Sequence, residues 1–191
     1  LFTVDEETGL TGAFELGEGM LTGKYLVNLD SEDEGEIFIG CAGGIDTIAT
    51  FHYTMEPSPK NYTFFRVDVS DLQGGHSGDD IDKGRVNSNK TVARLLWDGM
   101  QSFELKLCYF NGGNLRNAIP REAYAIFGVP VRFKEEFVKR YNLFAADLEA
   151  EFRFREPNFK ITLNEMPHVD EVLDSRTQSA LVYSLVGVPN G

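Results

Sequence analysis

Between residues 62 and 166 the apolar residues switch repeatedly between two periods, and this switching most restricts what the chain can become. In "YTFFRVDVSDL" (62–72), Phe65, Val67 and Val69 recur at every second position, which puts them on one face of a strand. "SFELKLCYF" (102–110) likewise places Phe103, Leu105, Leu107 and Tyr109 on one face. "AYAIFGVPV" (123–131) and "FKITLNEM" (159–166) are further strands, and "IDTIATFHYTME" (45–56) alternates through Ala49, Phe51, Tyr53 and Met55. Between these runs the period lengthens. Val86, Ala93, Leu96, Trp97 and Met100 form one stripe at helical spacing, and Phe137, Val138, Tyr141, Phe144, Ala145, Leu148 and Phe152 form another. A third helix is predicted over 174–187, with Asp174 or Ser175 as its cap. The order β-β-α-β-β-α-β predicts an α+β fold, a ferredoxin-like antiparallel sheet with two helices on one face.

The first 43 residues have another character. Short apolar runs at 1–4, 25–29 and 37–44 predict strands, separated by the Gly-rich "TGLTGAFELGEGMLTG" and the acidic "DSEDEGE". If the first two strands are parallel neighbours, Glu6-Glu7 and Asp30 sit together at the carboxyl edge of the sheet, where α/β folds hold their sites. Two carboxylates there could hold a divalent metal while a third acts as base. On acidity alone, solvated acidic loops are the plainer account of the same residues.

Composition closes off several classes of function. A net charge of −12 over 191 residues argues against nucleic acid as a partner and is compatible with bound cations. No apolar run approaches the roughly 20 residues of a membrane span. Cys41 and Cys108 lie far apart with no C-x-x-C spacing, so neither a disulfide framework nor a thiolate zinc site is expected, and a reducing, cytoplasmic setting is favoured. "DSEDEGEIFIGC" fails as a calcium loop, because its twelfth position is Cys41 where a Glu is needed. "GCAGG" lacks the Lys-Ser/Thr of a phosphate loop.

Two further stretches could carry chemistry. In "GGHSGDD" (74–80), glycines on both sides free the backbone around His76, and a histidine held between a strand and a helix can donate a hydrogen bond to a developing oxyanion. A glycine-rich turn with a surface histidine is the plain alternative. In "NGGNLRNAIPREA" (111–123), Asn111, Asn114, Arg116, Asn117 and Arg121 crowd one connection between strands. Such side chains suit a carboxylate or peptide group, or simply a polar loop. His52 and His168 are expected to be structural.

Taken jointly and in this order, "TVDEETG", "NLDSEDEGEIFIGCAGG", "GGHSGDDI" and "LRNAIPREA" resemble the two-zinc metallopeptidases that include aminoacylase and glutamate carboxypeptidase. "NLDSEDEGE" and "RNAIPREA" point to the aminoacyl-histidine (Xaa-His) dipeptidase branch. The resemblance implies a zinc-dependent dipeptidase with two Zn²⁺, other divalent metals being possible, acting on dipeptides that include Xaa-His. It implies Glu6 as the general base, Glu7 and Asp30 as metal ligands, and His76 as the oxyanion donor contributed across a homodimer. Asn117 matches a polar residue that touches substrate. It further implies that 1–43 belong to an α/β catalytic domain and 44–191 to a lid and dimerisation domain that continues past residue 191. The first His-x-Asp motif, a bridging Asp and a final His of that superfamily have no counterpart here, so the chain resembles an internal fragment. Alone it is expected to be inactive and to hold no zinc pair. A related amidohydrolase of aminoacylase or deacetylase type, and a non-catalytic dimerisation module, are the alternatives.

Overall fold

A computed structural model of the chain describes residues 1–30, 34–40 and 43–190, the side chains of Glu7 and Thr8 excepted. Contacts divide it into two units, Leu1–Ile48 and Ala49–Gly191. Among the described residues no helix is long and apolar enough to cross a membrane.

The first unit holds two single-turn helices, α1 (Glu6–Gly9) and α2 (Thr11–Phe14). The strands expected at 1–4, 25–29 and 37–44 are absent among its described residues, and Cys41 lies outside them. The reason is pairing. A strand needs a neighbour for its N–H and C=O groups, and among the described residues no ladder partner faces these segments. The backbone turns on itself at Asp5 instead, whose carbonyl accepts from Gly9 (3.1 Å) and Leu10 (2.7 Å). Phe2 and Ile39 are 100% exposed, and Phe14 is 80% exposed. Apolar residues of this segment thus lie uncovered.

In the second unit the alternating segments form a four-stranded antiparallel sheet. Its elements run β1 (Met55–Pro57), β2 (Tyr62–Ser70), β3 (Gly75–His76), α3 (Ser88–Ser102), β4 (Lys106–Gly112), β5 (Ala118–Ile119), β6 (Ala123–Pro130), α4 (Lys134–Phe152), β7 (Lys160–Met166), β8 (Glu171–Leu173) and α5 (Ser175–Gly187). The sheet order is β4-β6-β2-β7, and β1–β8 and β3–β5 form two small ribbons. Of the alternating stretch 45–56 only Met55 onward is a strand, because its partner β8 is just three residues long. His52 therefore lies on no strand.

Register explains the core. Phe65 faces Phe127, Val67 faces Ala125 and Val69 faces Ala123. These side chains share one sheet face with Val92, Leu95 and Leu96 of α3 and with Phe137, Tyr141, Leu148 and Phe152 of α4. Both helices thus cover the same face, as the two apolar stripes require. Val182 of α5 joins the same core. Trp97 falls off its expected stripe and is 45% exposed, because Val92, Leu95, Leu96 and Gly99 define the buried side of α3.

One register change was not foreseeable from alternation. Leu107 pairs with Phe127 but Tyr109 pairs with Ile126, so Cys108 is the extra residue of a bulge. Leu107 stays in the core, Tyr109 turns to the other face and stacks on Tyr124 (5.6 Å), and Phe110 packs against the core in the place expected for Tyr109. Burial pushes the Cys108 thiol up to about 12, so this sulfur is unreactive near neutrality.

The outer edge of β4 is covered by a side chain. Gln178 of α5 accepts from Leu107 N–H (2.8 Å) through Oε1 and donates to the Leu105 carbonyl (2.9 Å) through Nε2. It thereby does for an edge strand what a neighbouring strand would do. Gln178→Leu keeps the volume and leaves two buried backbone groups unpaired. It is expected to cost about 1–3 kcal/mol, read from urea unfolding with an unchanged slope.

Asp174 is the cap of α5. Its Oδ1 accepts from the N–H groups of Arg176 (3.1 Å) and Thr177 (2.9 Å), and its Oδ2 accepts from Thr54 N–H (3.2 Å). The Thr177 side chain and then these backbone donors hold the Asp174 carboxyl down, from 3.8 to about 2. A depressed folded-state value means stabilisation that is complete above the ordinary carboxyl range and lost as pH falls toward 2. Asp174→Asn is therefore expected to flatten the fall of Tm between pH 4 and pH 2, while wild type shows it in full.

Candidate functional site

The Gly-Gly-His-Ser-Gly stretch leaves the end of β2 and is shaped by close approaches. Gly74 has φ +65°, and a Cβ there would lie 2.3 Å from the Arg121 side chain. Gly75 has φ +153°, and a Cβ there would lie 2.5 Å from the Asp80 carboxylate. Glycine is needed at both positions for space as well as for dihedral freedom.

This turn is fastened to the polar connection 111–123. Gly75 pairs with Ile119 and His76 with Ala118. Ser77 N–H donates to the Asn117 carbonyl (2.9 Å), Arg121 Nε donates to the Leu72 carbonyl (3.0 Å), and Ser88 N–H donates to the Pro120 carbonyl (3.1 Å). His76 on β3 and Asn117, in the turn that leads into β5, are distant in sequence and are thereby brought next to each other. The two stretches singled out separately in the sequence form one platform.

The imidazole is oriented by its own turn. Gly78 N–H donates to His76 Nδ1 (3.0 Å), and Asp79 N–H approaches the same atom (3.4 Å). A nitrogen that accepts from the backbone cannot carry the proton of the neutral ring. The geometry assigns that proton to Nε2, so the ring donates from Nε2. Asp80 completes the turn: its Oδ2 accepts from His76 N–H (2.8 Å), and its N–H donates to the His76 carbonyl (3.0 Å). Lys83 at 2.7 Å, and then the His76 backbone, hold the Asp80 carboxyl below its ordinary range. Asp80 stands in the motif as written. Its role as the clasp of the turn appears only in three dimensions.

Beside the ribbon lies an open cavity of about 650 Å³ whose lining includes Arg66, Asp68, Asn111, Asn114, Arg121 and Tyr124. Neither His76 nor Asn117 lines it. Arg66 is already engaged, by two bonds from Nε and one from Nη2 to the Asp68 carboxylate (2.6–2.9 Å) and by lying 3.9 Å above the Tyr124 ring.

The acidic residues sit in the first unit. Glu6 opens α1, Glu7 follows it with its side chain outside the described residues, and Asp30 is exposed with its N–H donating to Asn28 Oδ1 (3.1 Å). Among the described residues no group of three or more His, Cys, Asp or Glu side chains converges as a metal site would require. His168 lies edge-on against Phe64 (5.1 Å).

Fold and site together define a helix-covered antiparallel sheet with a small end ribbon that carries a histidine and has an asparagine beside it. Residues 59–161 match the family model described as peptidase dimerisation domain, and the chain belongs to that family. Over its whole length it is 37% identical to the cytosol non-specific dipeptidase of Escherichia coli (strain K12), of which it covers 39%. The crystal structure of aminoacylhistidine dipeptidase from Vibrio alginolyticus matches 99% of the chain at a TM-score of 0.84 and 39% identity, and the match covers 39% of that protein. The chain thus spans about two fifths of the length of each relative.

Proposed function

We propose that this chain is part of a metal-dependent dipeptidase, with 44–191 as its lid and dimerisation domain and 1–43 contributing to its catalytic domain. The observation that carries the reading is the His76 turn: an imidazole with Nδ1 satisfied by backbone, Nε2 left to donate, and Asn117 beside it, its carbonyl accepting from Ser77 N–H just before the adjoining strand. The two dipeptidase relatives support the same substrate class, and Xaa-His dipeptides are included.

In this reading water adds to the scissile carbonyl carbon, and the carbonyl oxygen becomes an oxyanion that accepts from His76 Nε2–H. Glu6 takes the proton from the attacking water and returns it to the amine as the C–N bond breaks. Asn117 holds the substrate. Glu7 and Asp30 are the candidate metal ligands, and the bound metal, two Zn²⁺ by resemblance, would lower the pKa of a coordinated water. The described residues do not by themselves make a metal pair, so the remaining ligands would come from beyond them. The chain alone is expected to show no turnover. The working enzyme is a cytoplasmic homodimer joined through the lid.

The test is a substrate panel on the full-length protein, before and after chelation. Hydrolysis of unblocked dipeptides, Xaa-His among them, abolished by chelator and restored by zinc, is expected. Activity confined to N-acyl amino acids would make it an aminoacylase-type amidohydrolase. No activity with any metal would leave a dimerisation module.

A further inference from the structure

Glu156 is 2% exposed, the one charged residue in the buried interior among those described. A buried carboxylate is costly unless each oxygen finds a donor. Here both donors are backbone amides: Oε2 accepts from Gln73 N–H (2.7 Å) and Oε1 from Val86 N–H (3.1 Å). Gln73 and Val86 are not random partners. They are the two ends of the segment that carries Gly74, Gly75, His76 and Asp80.

We propose that Glu156 is the positioning residue of the His76 loop, one carboxylate closing the loop at both ends. Glu156 is itself anchored just beyond α4, where its N–H donates to the Phe152 carbonyl (2.8 Å) and its carbonyl accepts from Phe159 N–H (3.0 Å). Phe152 is part of the core, so the clamp ties the loop to the helix layer. Two lesser straps run beside it: Arg85 Nη1 donates to Gln73 Oε1 (2.6 Å), and Gln73 Nε2 donates to the Arg155 carbonyl. Only a carboxylate fits this place. Two N–H donors need two acceptors, and a glutamine would turn an NH₂ toward one of them.

The proposal rests on the reading of His76 as oxyanion donor, and the experiment keeps the two apart. In the full-length enzyme Glu156→Gln is expected to lower kcat by about tenfold or more, since a displacement of about 1 Å at a catalytic group can cost 10²-fold, while KM stays within about threefold. In the His76→Ala background the same substitution should cost less than about twofold, because its effect runs through His76. Equal losses in both backgrounds, or a folded Glu156→Gln enzyme with wild-type kcat, would overturn the proposal. Should Glu156→Gln not fold, the exposed Gln73→Ala removes the two lesser straps. It should then lower kcat modestly, by about 2–5-fold, and only when His76 is present, and no loss would count against the clamp. Should His76→Ala itself keep full activity, the oxyanion reading falls, and amide exchange in the chain decides the clamp. Faster exchange across 73–86 in Glu156→Gln, with β2 and α3 unchanged, supports it, and unaltered exchange overturns it.

Discussion

His76→Ala in the full-length enzyme is expected to lower kcat by about 10²–10³, the usual loss when one oxyanion donor is removed, with metal content unchanged. The size follows from how the ring is held. Its Nδ1 is spent on Gly78 N–H, the His76 backbone is clasped by Asp80, and the turn is fastened to β5. A donor fixed before the reaction needs no reorganisation when charge develops on the substrate oxygen, so its removal is felt mainly in kcat. His52→Ala, in an exposed segment outside any strand, should change little. Steady-state kinetics and metal analysis on both variants make the check. Loss of metal in proportion to activity would make His76 a ligand, and full activity in both would leave a glycine-rich turn with a surface histidine.

Phe137→Ala should destabilise the second unit by about 3–5 kcal/mol, the range for removing a buried Phe. Phe137 is 1% exposed and is the hub of an aromatic cluster, with ring centroids 5.6 Å from Phe65, 5.5 Å from Phe127 and 5.6 Å from Phe103. It joins α4 to two central strands and to the turn after α3, so no single neighbour can move in to fill its space. A domain stability of about 5–15 kcal/mol would lose a large share. Urea unfolding followed by fluorescence would read this, and Phe137→Leu should recover more than half. A loss under about 1 kcal/mol would mean that the site collapses freely, and that this cluster is not what joins the helix layer to the sheet.

The periods of the sequence were enough for the long elements. Phe65, Val67 and Val69 alternate because one side of β2 is core and the other is not, and the stripes of α3 and α4 repeat because each helix buries one side. Such patterns are local consequences of burial, so local sequence records them. The capping of α5 is local as well: the sequence narrowed it to Asp174 or Ser175, and Asp174 is the cap. His76 and Asn117 stood out through their motifs, and their resemblance to a peptidase family was readable with no structure at all.

Events that depend on distant partners were not legible. The strands expected at 1–4 and 25–29 have the right residues but, among the described residues, no neighbour to pair with, and a strand is a property of two chain segments. The bulge at Cys108 depends on β6, since alternation within β4 alone puts Tyr109 in the core. That His76 and Asn117 lie side by side is a matter of β3 meeting β5, which no spacing encodes. Glu156 carries no motif, and in the sequence it is one acid among many. The sequence by itself determined where helices and strands could form and which residues had the chemistry. The tertiary structure alone decided which backbone amides a buried carboxylate would close upon, because hydrogen bonds between remote segments exist only once packing has brought them together.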